Sequence, residues 1–291
     1  MAPINQQSGS VNRQKIELRG RPLKLATPVI MGILNATPDS FSDGGLYNAV
    51  EDALGRIESM VRQGATIIDI GGESTRPGAE PVPAEQERER VMPILKKALE
   101  RYPDHYFSVD TRTCEVAREA LECGAHMIND VSGLKDLRLA ELCAEHKAGY
   151  VLMHSQGDPE QMQEDPRYDE VVADIKSFFE KKLEEAAKIG LQEVMIDPGI
   201  GFGKLLNHNL QLLARLDAFL DFGKPIMIGA SRKSMFDEIL EGRSAEKRIT
   251  ATVSAHYEAM IRGARILRVH DVQEASDSIK VFNALRSVRD A

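Results

Sequence analysis

Short apolar runs that end in a polar residue recur along nearly the whole chain, separated by helix-length amphipathic segments. The polar ends carry Asn, Asp, His, Lys or Arg, and the runs are VIMGILN (29–35), TIIDIGG (66–72), YFSVDT (106–111), MIND (127–130), YVLMH (150–154), VMIDPG (194–199), PIMIGAS (225–231) and ILRVH (266–270). Buried strands that alternate with helices are typical of a parallel α/β sheet. Eight such units predict a closed (β/α)8 barrel, a TIM barrel, whose active site lies at the carboxyl ends of its strands. The polar strand ends are therefore expected to meet at one mouth.

The regular alternation of strands and helices indicates one barrel domain over residues 28–284, with no linker or second-domain boundary. Ahead of it, KIELRGRPLKLA alternates apolar side chains about Gly20, which predicts a β-hairpin over residues 15–27 that plugs the bottom of the barrel. Residues 1–14 are rich in Gln, Ser and Asn and are expected to form a flexible N-terminus. Asn48 is predicted to cap the first helix, with Glu51 completing a capping box.

The charge of the chain excludes some classes of partner. A formal net charge of −8 and a pI near 5.5 argue against a nucleic-acid or acidic-membrane binder, so an anionic substrate must meet local cations. No signal peptide and no run of roughly 18 apolar residues is found, so a cytoplasmic protein is expected. Cys114, Cys123 and Cys143 lie in helix-like segments without metal-ligand spacing, which predicts reduced thiols.

Two loops at the predicted mouth concentrate Gly, Pro, Ser, Thr and Asp: GILNATPDSFSDGG (32–45) and GGESTRPGAEPV (71–82). Loops of this composition can act as lids, and we expect them to close around a bound anion. Asn35 ends the first strand, where its amide oxygen could hold Mg²⁺ with waters and substrate phosphates. The alternative is that Asn35 is a turn former, which is the commoner role of an Asn taken alone.

Hydroxyl and cationic side chains at the same mouth are suited to phosphate oxygens. Ser74, Thr75 and Arg76 lie in the second loop. Arg268 and His270 project to the same side of the last strand, because side chains alternate along a strand. Two cations at that spacing would repel each other without an anion, so the pair predicts an anion clamp.

Acidic and amide side chains close three other strands: Asp110, Asn129 and Asp197. Buried carboxylates are rare unless they are paired or bound to donors. The structural alternative is loop capping or an ion pair with Lys233 or Arg232, and for one Asp alone that alternative is favoured. Three such groups on separate strands favour a ligand rich in N–H donors.

Two further segments contribute to the predicted ligand-binding site. DPGIGFGK (197–204) forms a glycine-rich turn with Phe202, whose ring could stack on a flat molecule. Lys233, in GASRKSMF (229–236), could donate to a carbonyl oxygen. The ligand is therefore expected to be planar and hydrogen-bonding at one end and anionic at the other.

Seven segments in this order resemble dihydropteroate synthase, a folate-pathway enzyme family. They are GILNATPDSFSDGG, GGESTRPGAEPV, VDT (109–111), IND (128–130), DPGIGFGK, GASRKSMF and RVHDV (268–272). The resemblance implies a TIM barrel and a transferase that condenses (7,8-dihydropterin-6-yl)methyl diphosphate with 4-aminobenzoate, giving 7,8-dihydropteroate and diphosphate. It also implies Mg²⁺ dependence, a homodimer formed through late helices, and a sulfonamide target.

Matched motif positions imply roles for individual residues. Asn35 would be the Mg²⁺ ligand, and the diphosphate would lie among Ser74, Thr75, Arg76, Arg268 and His270. The remaining substrate-binding positions are Asp110, Asn129, Asp197 and Lys233 around the pterin, Phe202 beside it, and Ser231 and Arg232 near the 4-aminobenzoate. Catalysis would rest on Asp110, Lys233, Arg268 and His270. The chain departs from the family pattern at Ala36, Ser155 and Asp158, which puts substrate fit and inhibitor response in question.

An aromatic amine is already a nucleophile at neutral pH, so the hard step is loss of diphosphate, which favours a dissociative course. Three rival functions differ in what they require. Lys233 could form a Schiff base in an aldolase-type barrel, although Arg232 beside it and the lack of an acid/base partner disfavour this. A catalytically silent pterin-binding sensor or scaffold would not need Asn35, Arg268 and His270. A barrel that transfers the methyl group of a reduced pterin would not need a diphosphate clamp.

Overall fold

The computed structural model of the chain describes residues 14–36, 45–73, 82–157 and 166–289. Within these ranges a two-stranded antiparallel hairpin precedes a closed barrel of eight parallel strands. The hairpin strands are β1 (Lys15–Leu18) and β2 (Arg21–Lys24), and the barrel strands are β3 (Val29–Asn35), β4 (Ile67–Gly71), β5 (Tyr106–Asp110), β6 (Met127–Asp130), β7 (Gly149–Met153), β8 (Val194–Asp197), β9 (Ile226–Ile228) and β10 (Ala264–Val269). The predicted TIM barrel with an N-terminal hairpin is confirmed.

Helices connect the strands and cover the outside of the barrel. They are α1 (Gly45–Gln63), α2 (Ala84–Arg101), α3 (Cys114–Cys123), α4 (Leu137–Glu145), α5 (Val171–Lys188), α6 (Leu206–Ala214), α7 (Met235–Ile239), α8 (Ile249–Ile261) and α9 (Val272–Arg289). No helix in the described ranges is long and apolar enough to cross a membrane. The three cysteines lie in helices as free thiols, as predicted.

The start of α1 was predicted wrongly. The helix begins at Gly45, so Asn48 lies inside its first turns and does not cap it. Leu46 and Tyr47 are compatible with helical backbone, so the helix extends back to Gly45 despite the local preference of Asn48 for a cap. The helix ends before Gly64, whose φ of +105° suits a helix C-terminus.

Alternation along the strands separates the core into an outer and an inner part. Ile68 and Ile70 of β4 point outward and pack with the helices, whereas Ile67 and Asp69 point into the barrel. The lower interior is filled by apolar side chains, among them Met31, Ile67, Met127, Met195 and Ile266. Asp69, Asp110 and Asn129 enter the barrel above this layer.

The register of the strands places the predicted polar ends side by side. Asn35 pairs with Gly71 across β3 and β4, Gly71 pairs with Asp110 across β4 and β5, and Asp110 pairs with Asn129 across β5 and β6. The barrel closes where β10 pairs with β3 and with β9. Arg268 lies in register with Met31, and its long side chain reaches Asp110 at the strand ends. The carboxyl ends thus form one mouth.

The hairpin closes the opposite end of the barrel. Ile16, Leu18, Leu23 and Leu25 are fully or almost fully buried and join the lower apolar layer. Leu18 packs so closely on β7 that a Cβ at Gly149 would lie 2.6 Å from its Cδ2 atom. The hairpin is therefore part of the barrel core, as the sequence predicted.

Replacing Leu18 with Ala should lower the free energy of unfolding by about 2–5 kcal/mol, because the cavity left at the barrel floor cannot collapse freely. Chemical denaturation measures the change. Leu210→Ala on α6, where Leu210 is 41% exposed, is the matched control and should change stability little. Equal effects of the two substitutions would show that the hairpin is not part of the cooperative core.

Candidate active site

A buried ion network lies in the barrel interior directly below the mouth. Arg268 of β10 donates from Nε to Asp69 Oδ2 over 2.7 Å and from Nη2 to Asp110 Oδ2 over 2.6 Å. Asn129 donates from Nδ2 to the same Asp69 oxygen over 3.0 Å. The side chains of Asp69 and Asp110 are 0% and 4% exposed, so the guanidinium is their main source of positive charge. Four strands are tied together by these contacts.

Two carboxylates sharing one guanidinium leave an excess of negative charge. Burial raises the pKa of Asp110 to about 7, and the neighbouring Asp69 adds to the rise while Arg268 opposes it. Burial by itself would lower the pKa of Arg268, but Asp69 and Asp110 outweigh burial and raise it. The interior therefore carries an excess of negative charge when both carboxyl groups are ionised. The Asp110 carboxyl group titrates near neutral pH.

The repulsion expected between Arg268 and His270 does not by itself require a bound anion, and their role as an anion clamp stays a prediction. The protein supplies the anions, since Arg268 is held by Asp69 and Asp110. His270 instead faces Ser231, with its Nδ1 atom 3.0 Å from Ser231 Oγ, and its backbone N–H donates to the same oxygen. The two side chains nevertheless lie at the same mouth.

Several buried oxygens in this interior have no hydrogen-bond partner within the described ranges. They include Asp110 Oδ1 and Asn129 Oδ1, and deeper in the barrel Asp69 Oδ1 and Ser108 Oγ. A buried acceptor without a donor is costly, and such groups in a native structure call for a ligand or ordered water. Their acceptor character fits a ligand that presents N–H groups.

An apolar cluster lies at the same mouth. Val131, Met153 and Phe202 form a small buried cluster above the main interior layer. Lys233 places its Nζ atom 3.9 Å from the centroid of the Phe202 ring. This cation–π contact stabilises the protonated amine, whereas a Schiff-base lysine must react as the neutral amine.

Asp197, at the end of β8, is buried beside this cluster. Its Oδ1 atom accepts from Gly199 N–H over 2.7 Å. Burial raises the pKa of Asp197, and the Gly199 hydrogen bond, Lys233, Lys204 and Arg268 oppose the rise. Asp197 is therefore a third acceptor at the mouth, close to the cations Lys233, Lys204 and Arg268.

Arg232 forms no ion pair with Asp110 or Asp197, so that part of the structural alternative was wrong. Loop capping is confirmed for Asp197, which accepts from Gly199 N–H. The Nε and Nη2 atoms of Arg232 donate to the two carboxylate oxygens of Asp271 over 3.0 and 2.5 Å. Its backbone lies in the left-handed region with a φ of +58°, and its N–H donates to Thr252 Oγ1. The bidentate pair fixes Arg232 at the rim of the mouth, next to Ser231.

Asn35 lies half-buried at the end of β3, in register with the strand ends that carry Asp110 and Asn129. Its amide has no side-chain partner among the described residues. No cluster of three or more His, Cys, Asp or Glu side chains in those residues could hold a metal ion. A lone amide oxygen fits a Mg²⁺ site that is completed by substrate phosphates and waters, as Mg²⁺ often prefers.

Comparisons with known proteins agree with this geometry. The family model for pterin binding enzymes matches residues 31–270. The dihydropteroate synthase of Escherichia coli K12 is 44% identical over 278 residues, which cover 95% of this chain and 98% of that protein. This chain belongs to the dihydropteroate synthase family.

Solved structures of dihydropteroate synthases have the same fold. The Yersinia pestis enzyme in a sulfonamide drug complex superposes with a TM-score of 0.88 at 42% identity, covering 94% of this chain and 99% of that one. The Xanthomonas albilineans enzyme with 4-aminobenzoic acid gives a TM-score of 0.87 at 40% identity, covering 94% and 98%. The predicted family and the predicted transferase activity of a dihydropteroate synthase are confirmed.

Some predicted positions lie outside the described residues: Ser74, Thr75, Arg76, Asp158, and the loop residues 37–44 and 74–81. The structure gathers Asn35, Asp110, Asn129, Asp197, Phe202, Ser231, Arg232, Lys233, Arg268 and His270 at or just below one mouth. Their substrate roles in this dihydropteroate synthase family member stay predictions.

Two buried charged residues of the site were missed. Asp69 lies within the apolar run TIIDIGG, and its inward position, two residues after Ile67, was a signal in the alternation. Lys204 ends DPGIGFGK, and nothing in that motif distinguishes a buried lysine from an exposed one. Both contribute charge to the groups that the sequence did identify.

Replacing Asp110 with Asn should abolish most activity without lowering stability, because Arg268 still faces Asp69. The pKa of Asp110 is raised on folding from about 3.8 to about 7, so the wild-type protein loses stability as the pH rises through that interval. The variant should lose less, and should therefore be at least as stable as the wild type at pH 8. Unfolding free energies at pH 5 and pH 8 test this.

The contrasting substitution is Arg268→Met, which leaves two buried carboxylates without their cation. It should lower the free energy of unfolding by about 3–5 kcal/mol at pH 8. Greater instability of Asp110→Asn than of Arg268→Met would show that the network has been assigned wrongly.

Proposed function

We propose that this chain is a Mg²⁺-dependent enzyme of folate biosynthesis. It condenses (7,8-dihydropterin-6-yl)methyl diphosphate with 4-aminobenzoate and releases 7,8-dihydropteroate and diphosphate. The observation that carries the proposal is the pair of buried acceptors Asp110 Oδ1 and Asn129 Oδ1, which have no hydrogen-bond partner among the described residues and lie at the same mouth as the apolar Phe202 cluster. We place the reaction in the cytoplasm, which the three reduced thiols support.

The chemistry of a pterin matches this pocket. Its 2-amino-4-oxo ring carries several N–H donors and one carbonyl oxygen on a planar frame. The donors would meet Asp110, Asn129 and Asp197, the carbonyl oxygen would accept from Lys233, and the Phe202 cluster would cover a ring face. The excess negative charge around Arg268 favours a ring that becomes positive during the reaction.

The diphosphate end would lie above this network. His270 and Ser231 offer an imidazole and a hydroxyl within one hydrogen-bonded unit, and we keep Thr75 and Arg76 as further anion ligands. Two carboxylates already neutralise the charge of Arg268. Arg268 would therefore contribute one of its remaining N–H groups as a hydrogen-bond donor to the phosphate. Mg²⁺ bound at Asn35 would neutralise charge on the leaving oxygens.

These groups support a dissociative course. The bond between the pterin methylene carbon and the diphosphate oxygen breaks first, and both bonding electrons leave with the diphosphate. The dihydropterin ring delocalises the resulting positive charge, which Asp110 and Asp197 stabilise through hydrogen bonds to ring N–H groups. The nitrogen lone pair of 4-aminobenzoate then forms the new bond to the methylene carbon, and the resulting ammonium loses a proton to water.

The 4-aminobenzoate would bind at the rim beside Ser231 and Arg232. The structure of the Xanthomonas albilineans relative with 4-aminobenzoic acid supports this substrate for the family. Arg232 is held by Asp271 through two of its nitrogens, which fixes the direction of the third toward a bound carboxylate. Ser231 links this end to His270 and hence to the diphosphate end.

The function is tested by following diphosphate release and dihydropteroate formation from the pterin substrate, with and without 4-aminobenzoate and Mg²⁺. We expect stoichiometric products only when all components are present. His270→Ala should lower kcat about a hundredfold, as the loss of one donor to developing charge does. His146→Ala, at the hairpin end of the barrel beside Arg19, is the control and should leave kcat unchanged. A wild-type protein that binds the pterin but releases no diphosphate would contradict the proposal.

We also propose a homodimer that forms through α8 and α9. Large apolar side chains are exposed along α9 at helical spacing: Val281, Leu285 and Val288, which are 55%, 54% and 78% exposed. A groove between the two helices, lined by Ile249, Val253, Tyr257 and Val281, adjoins this stripe. A second copy of the chain would cover both.

Analytical ultracentrifugation measures the oligomeric state directly. Leu285→Glu should convert the wild-type dimer to a monomer, because a charge would be buried at its centre. Leu210→Glu, at an exposed position of α6, should leave the dimer intact. A monomeric wild-type protein at micromolar concentration would rule out this interface.

A further inference from the structure

Lys204 is a buried cation that stands outside the substrate-binding residues identified above. The residue is only 3% exposed, although lysine is rarely buried. Its Nζ atom lies 2.8 Å from the carbonyl oxygen of Phe202, 3.0 Å from Nδ1 of His154 and 3.3 Å from the carbonyl oxygen of His154. An ammonium group has three donors, so each of them has an acceptor within the protein.

These acceptors belong to two different loops at the mouth. His154 follows β7, and Phe202 follows β8. The loops lie backbone against backbone, since a Cβ at Gly199 would be 1.9 Å from the carbonyl oxygen of His154, and one at Gly203 would be 2.4 Å from that of Gln156. Lys204 links the two loops through its hydrogen bonds to both of them.

The loop after β8 carries two groups of the proposed pterin pocket. The Phe202 carbonyl is held by Lys204, and the ring of the same residue belongs to the apolar cluster. Asp197 begins the loop and binds Gly199 N–H, so a shift of the loop also moves its carboxylate. The position of both groups therefore depends on what anchors this loop.

The charge of Lys204 also reaches Asp197. Burial lowers the pKa of Lys204 to about 7, Asp197 opposes the fall, and Lys233 adds to it. In return, Lys204 opposes the rise that burial causes in the pKa of Asp197. His154 stays neutral, because burial and Lys204 hold its pKa well below the usual value, and it can therefore accept from the ammonium.

We propose that Lys204 is a positioning residue for the pterin, acting through the Phe202 ring and the Asp197 carboxylate. It does not touch the ligand, because its donors are committed to the two loops. The inference rests on the proposed binding of a pterin at this mouth.

Calorimetric titration with 6-hydroxymethylpterin, which lacks the diphosphate, tests the proposal on the full-length protein. Lys204→Met keeps the length of the side chain but removes its donors and charge, and should weaken pterin binding about tenfold or more. Lys204→Arg restores a cation and should recover part of the loss. Lys181→Met removes an exposed lysine of α5 and should bind like the wild type.

A double-mutant cycle separates positioning from general stability. If Lys204 acts through Phe202, then Lys204→Met should weaken binding less in a Phe202→Leu background than in the wild type. If the effects of Lys204→Met and Phe202→Leu on Kd simply multiply, Lys204 does not act through Phe202. If Lys204→Met does not fold, Lys204→Gln keeps a hydrogen-bond donor without the charge and enters the same cycle.

The outcomes separate this inference from the proposed function. A wild-type protein that does not bind the pterin would contradict the proposed function. Wild-type affinity in a folded Lys204→Met variant would overturn the positioning role alone. A loss of melting temperature with unchanged pterin affinity would likewise assign Lys204 to stability only.

Discussion

The guanidinium of Arg268 holds two buried carboxylates together inside the barrel, and the site is arranged around this contact. Burying Asp69 or Asp110 without a cation would be strongly unfavourable. The fork ties β10 to β4 and β5, and it engages only one oxygen of each carboxylate. The other oxygens are left buried and unpartnered within the described residues. The interaction that makes the charges tolerable in the fold thus also leaves acceptors for a ligand.

Along several barrel strands, residues of the apolar core are followed by residues of the polar site. On β4, Ile67 belongs to the apolar floor sealed by the hairpin, whereas Asp69, two residues later, belongs to the ion network. The same step leads from Met127 to Asn129 on β6 and from Met195 to Asp197 on β8. Inward-facing positions are two residues apart in a strand, so the barrel interior changes from apolar to polar between one inward position and the next. A close-packed floor therefore holds the polar layer in place from below.

Much of the fold and part of the site could be predicted from the sequence. The strand runs, the hairpin around Gly20 and the polar strand ends are local patterns, and the structure places them as expected. The partners of Arg268 could not be predicted, because Asp69 is 199 residues away and their contact depends on how the barrel closes. The burial of Lys204 depends on the approach of the His154 loop, which is also a tertiary effect. The start of α1 shows that a local capping preference can be overridden.

We propose that the pterin ring binds through its N–H groups to the oxygens around Arg268 that have no partner among the described residues. A crystal structure of the protein with bound dihydropterin tests it most directly. We predict ring N–H groups within hydrogen-bond distance of Asp110 Oδ1 and Asn129 Oδ1, with the contacts of Arg268 to Asp69 and Asp110 retained. A ring bound away from these oxygens, or an Arg268 side chain that leaves both carboxylates when the ligand binds, would contradict the account.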